Sequence, residues 1–179
     1  MQQFFANNTS GLKNRHQDQY LTFHMAGEEY GINILSVMEI RGYEKPTIIP
    51  GCPPCVKGVI DLRGKIIPIV DLRELLNLGS VEYDALTVVI IMQLEVEQEK
   101  YALGLIVDSV SDVYTVDKEQ LQMPPVSSNM IDRNFIEGLV NVNNKMIVLL
   151  SCRHLLSIPQ LTKVQIEKQF EQQATGVSS

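Results

Sequence analysis

GVIDLRGKIIPIVDLRELLNL, residues 58–78, lies over GLVNVNNKMIVLLSCRHLLSI, residues 138–158, without a gap and at a constant offset of 80. Gly58, Lys65, Ile67, Arg73, Leu75 and Leu76 meet identical residues, and Val59, Ile60, Leu62, Ile66, Ile69, Val70 and Leu78 meet other apolar ones. An earlier stretch repeats too: GINILSVMEI, from Gly31 to Ile40, lies over GLIVDSVSDV, from Gly104 to Val113. Two tandem copies of one unit of roughly 65 residues account for both matches. Within each copy, two apolar runs flank a pair of turn residues, Arg63-Gly64 in the first and Asn143-Asn144 in the second. Gly and Asn tolerate the positive φ of a tight turn, so each pair predicts a β-hairpin. A short helix follows each hairpin. Asp71 supplies a capping acid with Glu74 three residues on, and Ser151 takes the cap position in the second copy.

Outward from this block, YLTFHM, YGINI, VMEI and LTVVIIMQL are rich in β-branched residues and bounded by turn formers, which is the strand signature. Ile32 and Ile34 flank polar Asn33, the alternation of a half-buried strand running through Ile34. LTVVIIMQL reads as a strand buried on both faces. Each copy then holds about five strands, and sheets of such short strands hide their edges best by curling into small barrels. The expectation is an all-β fold with short helices and two tandem five-stranded barrels, barrel one over about 19–80 and barrel two over about 84–157. Residues 1–18 are polar and aperiodic and read as a flexible tail. Residues 158–179 read as a C-terminal helix, from Pro159 to about Ala174, and a frayed end.

The 179 residues are 45% hydrophobic and 20% charged, a globular composition. Their net charge of −6 repels phosphate backbones and argues against a nucleic-acid partner. The aliphatic runs are far shorter than the roughly 20 residues of a membrane span, so no direct membrane insertion is expected. MQQFFANNTS lacks the basic and apolar regions of a signal peptide, which places the expected site of action in the cytoplasm. Three cysteines do not make a disulfide scaffold.

Cys52-Pro53-Pro54-Cys55 invites a redox or zinc reading, that of a thiol oxidoreductase. The pair runs into a strand, not a helix N-terminus, and Cys152 is the sole further cysteine. The better reading is a proline-stiffened loop with cysteines as small apolar residues. His16, His24 and His154 have no catalytic spacing to a nucleophile or acid, and no phosphate-binding glycine motif is present. No active site, metal site or cofactor is expected. An SH3-like peptide or oligonucleotide binder would want a basic face or an aromatic groove, whereas aromatics are 6% of the chain and tryptophan is absent. Arg63 stands at a hairpin tip, either as a partner-gripping guanidinium or as a solvated turn residue; the two readings are equally weighted.

The combination of Tyr30-Gly31-Ile32, Val37-Met38-Glu39-Ile40-Arg41, Ile49-Pro50, the run VKGVIDLRGKIIPIVDLR from Val56 to Arg73, Val107-Asp108-Ser109-Val110-Ser111-Asp112-Val113 and the block from Gly138 resembles CheW-like domains over about residues 19–157. The resemblance implies SH3-like barrels around a shared core. It also implies a non-enzymatic adaptor that couples methyl-accepting chemotaxis receptors to the histidine kinase CheA in signalling arrays. By position it places Leu21, Ile34, Val37 and Val107 in an apolar groove for the receptor's helical tip. The repeat sets Val110 opposite Val37 and adds it to that groove. The resemblance further makes Glu39 and Arg63 polar partner contacts, and puts Gly58 in the kinase-contact region as a position without room for a side chain.

Overall fold

The tight turns form where glycine and asparagine permit them. Arg63 and Gly64 have φ of 52° and 81°, and Asn143 and Asn144 have 52° and 62°. The computed structural model describes residues 17–79, 82–96, 98–125 and 133–156. The strands are β1 (Gln17–Met25), β2 (Glu28–Asn33), β3 (Val37–Gly42), β4 (Val56–Leu62), β5 (Lys65–Asp71), β6 (Val88–Val96), β7 (Glu99–Val107), β8 (Ser109–Asp117), β9 (Ile136–Val142) and β10 (Lys145–Leu150). Helix α1 (Leu72–Leu75) follows β5, and α2 (Cys152–Leu156) follows β10. The tail was expected to include residues 17 and 18, but both belong to β1, where Asp18 is 3.0 Å from Lys118 Nζ. The rest of that tail and the expected C-terminal helix lie outside the described residues.

Two five-stranded sheets result, ordered β8-β1-β2-β10-β9 and β3-β6-β7-β5-β4. Each strand of the first sheet has its repeat counterpart at the same place in the second. Neither sheet follows the expected division at residues 80–84, because the copies exchange strands. The hairpin β1–β2 joins β8, β9 and β10 from the second copy, and β6–β7 joins β3, β4 and β5 from the first. The seams are parallel pairs, Gly31 with Leu149 and Gly104 with Ile69. A Cβ on either glycine would crowd that same neighbour, at 2.8 Å from Leu149 Cδ2 for Gly31 and closer still to Ile69 Cδ1 for Gly104. A bare backbone therefore lets the exchanged strands meet.

Each sheet is drawn round by one further bridge. Beyond β3, Thr47 exchanges two backbone hydrogen bonds with Val59 of β4, both 2.9 Å. Beyond β8, Gln122 does the same with Leu139 of β9, at 2.8 and 2.7 Å. Val59 and Leu139 are again counterparts at the offset of 80. The bridges bring the two edge strands of each sheet together, which removes the exposed edges.

Three apolar clusters fill this architecture. Leu62, Ile67, Ile69, Val89, Ile91 and Ile106 form one barrel interior, and Tyr20, Val116, Val140, Ile147 and Leu149 form the other. The largest draws on both sheets, with Leu21, Phe23, Met25, Ile32, Val70, Leu72, Ile90, Met92, Leu103, Leu105, Val107 and Leu150. On β6 the alternation is plain. Val89 and Ile91 point into a barrel, and Ile90 and Met92 point into the shared core. A strand between two cores is apolar on both faces, as LTVVIIMQL predicted. The strand expected through Ile34 instead stops at Asn33. The Asn33 side chain accepts a hydrogen bond from the Leu35 amide at 3.0 Å, and Ile34–Ser36 turn as a short 3-10 helix.

Candidate functional site

The barrel closure assembles the first group of candidate residues. Glu39 is on β3 and Arg63 is on the β4–β5 turn. The Thr47–Val59 bridge holds these elements together, and Arg63 Nη2 donates to Glu39 Oε2 at 2.7 Å. Arg41 Nε lies 3.7 Å from the other carboxylate oxygen. Arg63 is thus an ion-paired cation, not an isolated one, and with Glu39 it forms a single unit. Its side chain is 73% exposed, so the pair contributes on the order of 0–1 kcal/mol to folding. A partner's carboxylate can compete for the guanidinium at small cost. The second copy has Asn143 in place of Arg63, so the unit marks one barrel alone.

Gly58 lies beneath this closure with φ of 141°, and a Cβ there would overlap the Thr47 carbonyl oxygen. Beside it is an open cleft of about 230 Å³ lined by residues including Arg41, Glu44, Lys45, Thr47 and Asp61. The glycine is needed to form the surface, whatever then binds to it.

The five groove candidates belong to one cluster but divide into two kinds. Ile34, Val37 and Val110 are partly buried against the shared core. Leu21 and Val107 are inside it, with 3% and 1% of their surface exposed. The first three can meet a partner. The other two are core residues, and a change there acts on folding first. Asp108, directly after Val107, is fixed by the Ala26 amide at 3.0 Å and by Arg73 Nε at 2.8 Å.

The cysteine loop is a packing element. Cys52 and Cys55 are partly buried against the shared core, Cys152 is buried, and all three thiols are free. The Cys55 carbonyl accepts the Asp71 amide at 2.8 Å and so ties the loop to β5. Burial pushes the Cys55 thiol up and the Cys152 thiol up to about 11. A raised pKa leaves little thiolate at neutral pH, the opposite of what a reactive cysteine needs. Asp71 caps α1 as predicted, accepting from Arg73 N at 3.0 Å and Glu74 N at 3.3 Å. Glu74 turns instead to Lys57, 2.5 Å away, so it does not complete the capping box. Asp71 also accepts from the Tyr83 hydroxyl at 2.6 Å; burial and this bond hold the phenol well above its usual range. Among the described residues no three His, Cys, Asp or Glu side chains are placed to hold a metal ion, and no helix is long and apolar enough to cross a membrane.

Sequence reasoning missed the exposed apolar surface. Ile40, Ile48 and Ile66 are exposed on the barrel of the second sheet, and Val113, Met123 and Met146 on the barrel of the first. Ile40 and Val113 are counterparts at the offset of 73, and Ile66 and Met146 at 80. Ile48 and Met123 each follow a bridge residue, Thr47 and Gln122. Leu35 and Met38 are also exposed but face Asp108 and Ser111 in the repeat. For Leu35 and Met38, an apolar residue where the other copy is polar was the signal available.

The CheW-like domain model matches residues 19–160. Chemotaxis protein CheW of Klebsiella aerogenes is 38% identical over 146 residues, covering 82% of this chain and 86% of that one. Chemotaxis protein CheW of Bacillus subtilis is 32% identical over 140 residues, 78% of this chain and 86% of that one. The crystal structure of scaffolding protein TtCheW from Thermoanaerobacter tengcongensis superimposes with a TM-score of 0.71 at 31% identity, covering 84% of this chain and 96% of that one. The repeat, the exchanged barrels and these matches agree over the same residues: the chain belongs to the CheW-like domain family.

Proposed function

We propose that this chain is a chemotaxis adaptor that holds a methyl-accepting receptor and the histidine kinase CheA together, with no reaction of its own. The observation that carries the reading is duplication with exchange. One unit with a shared core presents two equivalent barrels, each with its own exposed apolar set, and a set of partly buried aliphatics packed against that core. Such a body has surfaces for more than one partner at once. The receptor's helical tip docks on this set at Ile34, Val37 and Val110, through side chains spaced at i, i+3 and i+4. The kinase's own CheW-like domain takes a barrel surface near Gly58. Glu39 and Arg63 supply the polar contact. The chain reaches the membrane-bound array through these partners.

Titration calorimetry with a soluble receptor signalling fragment, and separately with the kinase's CheW-like domain, tests the assignment. Val37→Ser and Val110→Ser are expected to weaken receptor binding by about tenfold to a hundredfold, the loss of one aliphatic contact, and to spare kinase binding. Equal losses for both partners, or none for the receptor, would overturn the placement of the groove.

A further inference from the structure

The two corners where exchanged strands meet are equivalent in the repeat but not in chemistry. Asp108, between β7 and β8, corresponds to Leu35, between β2 and β3, and Arg73 of α1 corresponds to Arg153 of α2. In the first corner Asp108 is ion-paired with Arg73 and accepts from the Ala26 amide. In the second corner the carboxylate is replaced by Leu35, which is 89% exposed, and Met38 beside it is exposed as well. Arg153 is exposed and, among the described residues, has no carboxylate partner. An open cleft of about 550 Å³ lies here, with Leu35, Met38, Leu94, Lys100 and Arg153 on its walls. Glu95 adds a single negative charge, so the cleft carries a net charge of +1. The closed corner shows what completes such a site, a carboxylate held by the guanidinium.

We propose that the open corner is a subsite for an acidic side chain on the receptor's helical tip. The incoming carboxylate takes Arg153 as Asp108 takes Arg73, and an apolar side chain one helical turn away covers Leu35 and Met38. The choice of the receptor rests on the reading above and on continuity. Leu35 and Ser36 lie between Ile34 and Val37 in sequence, and Leu94 and Cys152 of the cleft belong to the same apolar cluster as Ile34, Val37 and Val110. A guanidinium beside apolar surface suits a carboxylate, because the planar fork binds both oxygens and the apolar neighbours exclude water.

The test uses the full chain, a soluble receptor signalling fragment and the kinase's CheW-like domain, with affinities measured at two salt concentrations. Arg153→Glu is expected to weaken receptor binding by about tenfold or more and to flatten its salt dependence. Arg153→Lys should lose less, and Leu35→Ser should lose about threefold to tenfold. Kinase binding should not change. Both residues are exposed, so the melting temperature should hold, which keeps a binding loss interpretable. Wild-type receptor affinity in Arg153→Glu and Leu35→Ser, with Val37→Ser impaired, would overturn the subsite and leave the groove standing. An equal loss of kinase binding would overturn it too. A wild-type chain that binds no receptor fragment would defeat the functional reading and this inference with it.

Discussion

Gly58→Ala and Gly138→Ala form a matched pair that tests whether barrel closure depends on a bare backbone at one site. The glycines are counterparts in the repeat, and each precedes a residue that bridges to the chain beyond an edge strand. Their surroundings differ. Gly58 has φ of 141°, and an added Cβ would overlap the Thr47 carbonyl, a backbone group that cannot rotate away. Gly138 has no such φ, and a Cβ there would meet Leu121 Cβ at 3.3 Å and the Gln122 carbonyl at 3.5 Å. Relieving the clash at Gly58 means opening the Thr47–Val59 bridge. Two backbone hydrogen bonds of about 0.5–1.5 kcal/mol each are then lost. The alternative is to hold alanine in a disfavoured conformation, at about 1–3 kcal/mol. Gly58→Ala is therefore expected to destabilise by about 1–3 kcal/mol by either route. Gly138→Ala should cost less than Gly58→Ala, since its backbone lies outside the left-handed region and its closest contact, Leu121 Cβ, is tight by only a few tenths of an ångström. Urea unfolding of both variants, followed by far-ultraviolet circular dichroism, reads the difference directly. Equal costs, or a Gly58→Ala variant as stable as wild type, would show that barrel closure does not depend on a bare backbone at Gly58.

Strand exchange predicts that residues 17–79 and 82–156 do not fold when expressed separately, and that mixing them restores sheet structure; an isolated half with a cooperative melt would contradict the exchange. Val107→Ser is expected to lower stability by about 2–4 kcal/mol, because it removes a buried aliphatic group and buries a hydroxyl. Val110→Ser, at a partly buried site, should stay within about 1 kcal/mol of wild type, which thermal melts would show. Stability should also fall as pH rises from about 9 to about 11. The Cys152 thiol has a folded pKa of about 11 against an ordinary 9.0, so its contribution is complete below pH 9 and lost as pH passes the folded value. Cys152→Ala should flatten the first part of that decline in urea titrations; an unchanged slope would show that the thiol is not its source.

The features legible from sequence are those with a local physical requirement. Arg63-Gly64 and Asn143-Asn144 could be placed because a two-residue turn needs positive φ, and Asp71 because a helix start needs an acceptor for its free amides. The exchange was not legible. An internal repeat shows which strands are equivalent, but Ile69 and Leu149 are both apolar at the same repeat position, and only the packed chain shows that Gly31 meets Leu149. Ile34 was misread because alternation ignores the Asn33 side chain, which takes the Leu35 amide and ends the strand. The Glu39 partner of Arg63 was not legible, because Glu39 is 24 residues away and meets it only through barrel closure. The resemblance places Leu21 and Val107 with the groove candidates by position alone, and position does not tell that both lie inside the shared core. Leu35 and Met38 stood out only against Asp108 and Ser111 in the other copy.

If this chain holds receptor and kinase at the same time, all three must sediment as one complex. The chain is mixed with a receptor signalling fragment and the kinase's CheW-like domain, and complexes are resolved by analytical ultracentrifugation. One ternary species is expected, with receptor and kinase domain sedimenting together only when this chain is present, and with Val37→Ser releasing the receptor alone. Displacement of one partner by a saturating amount of the other would contradict it.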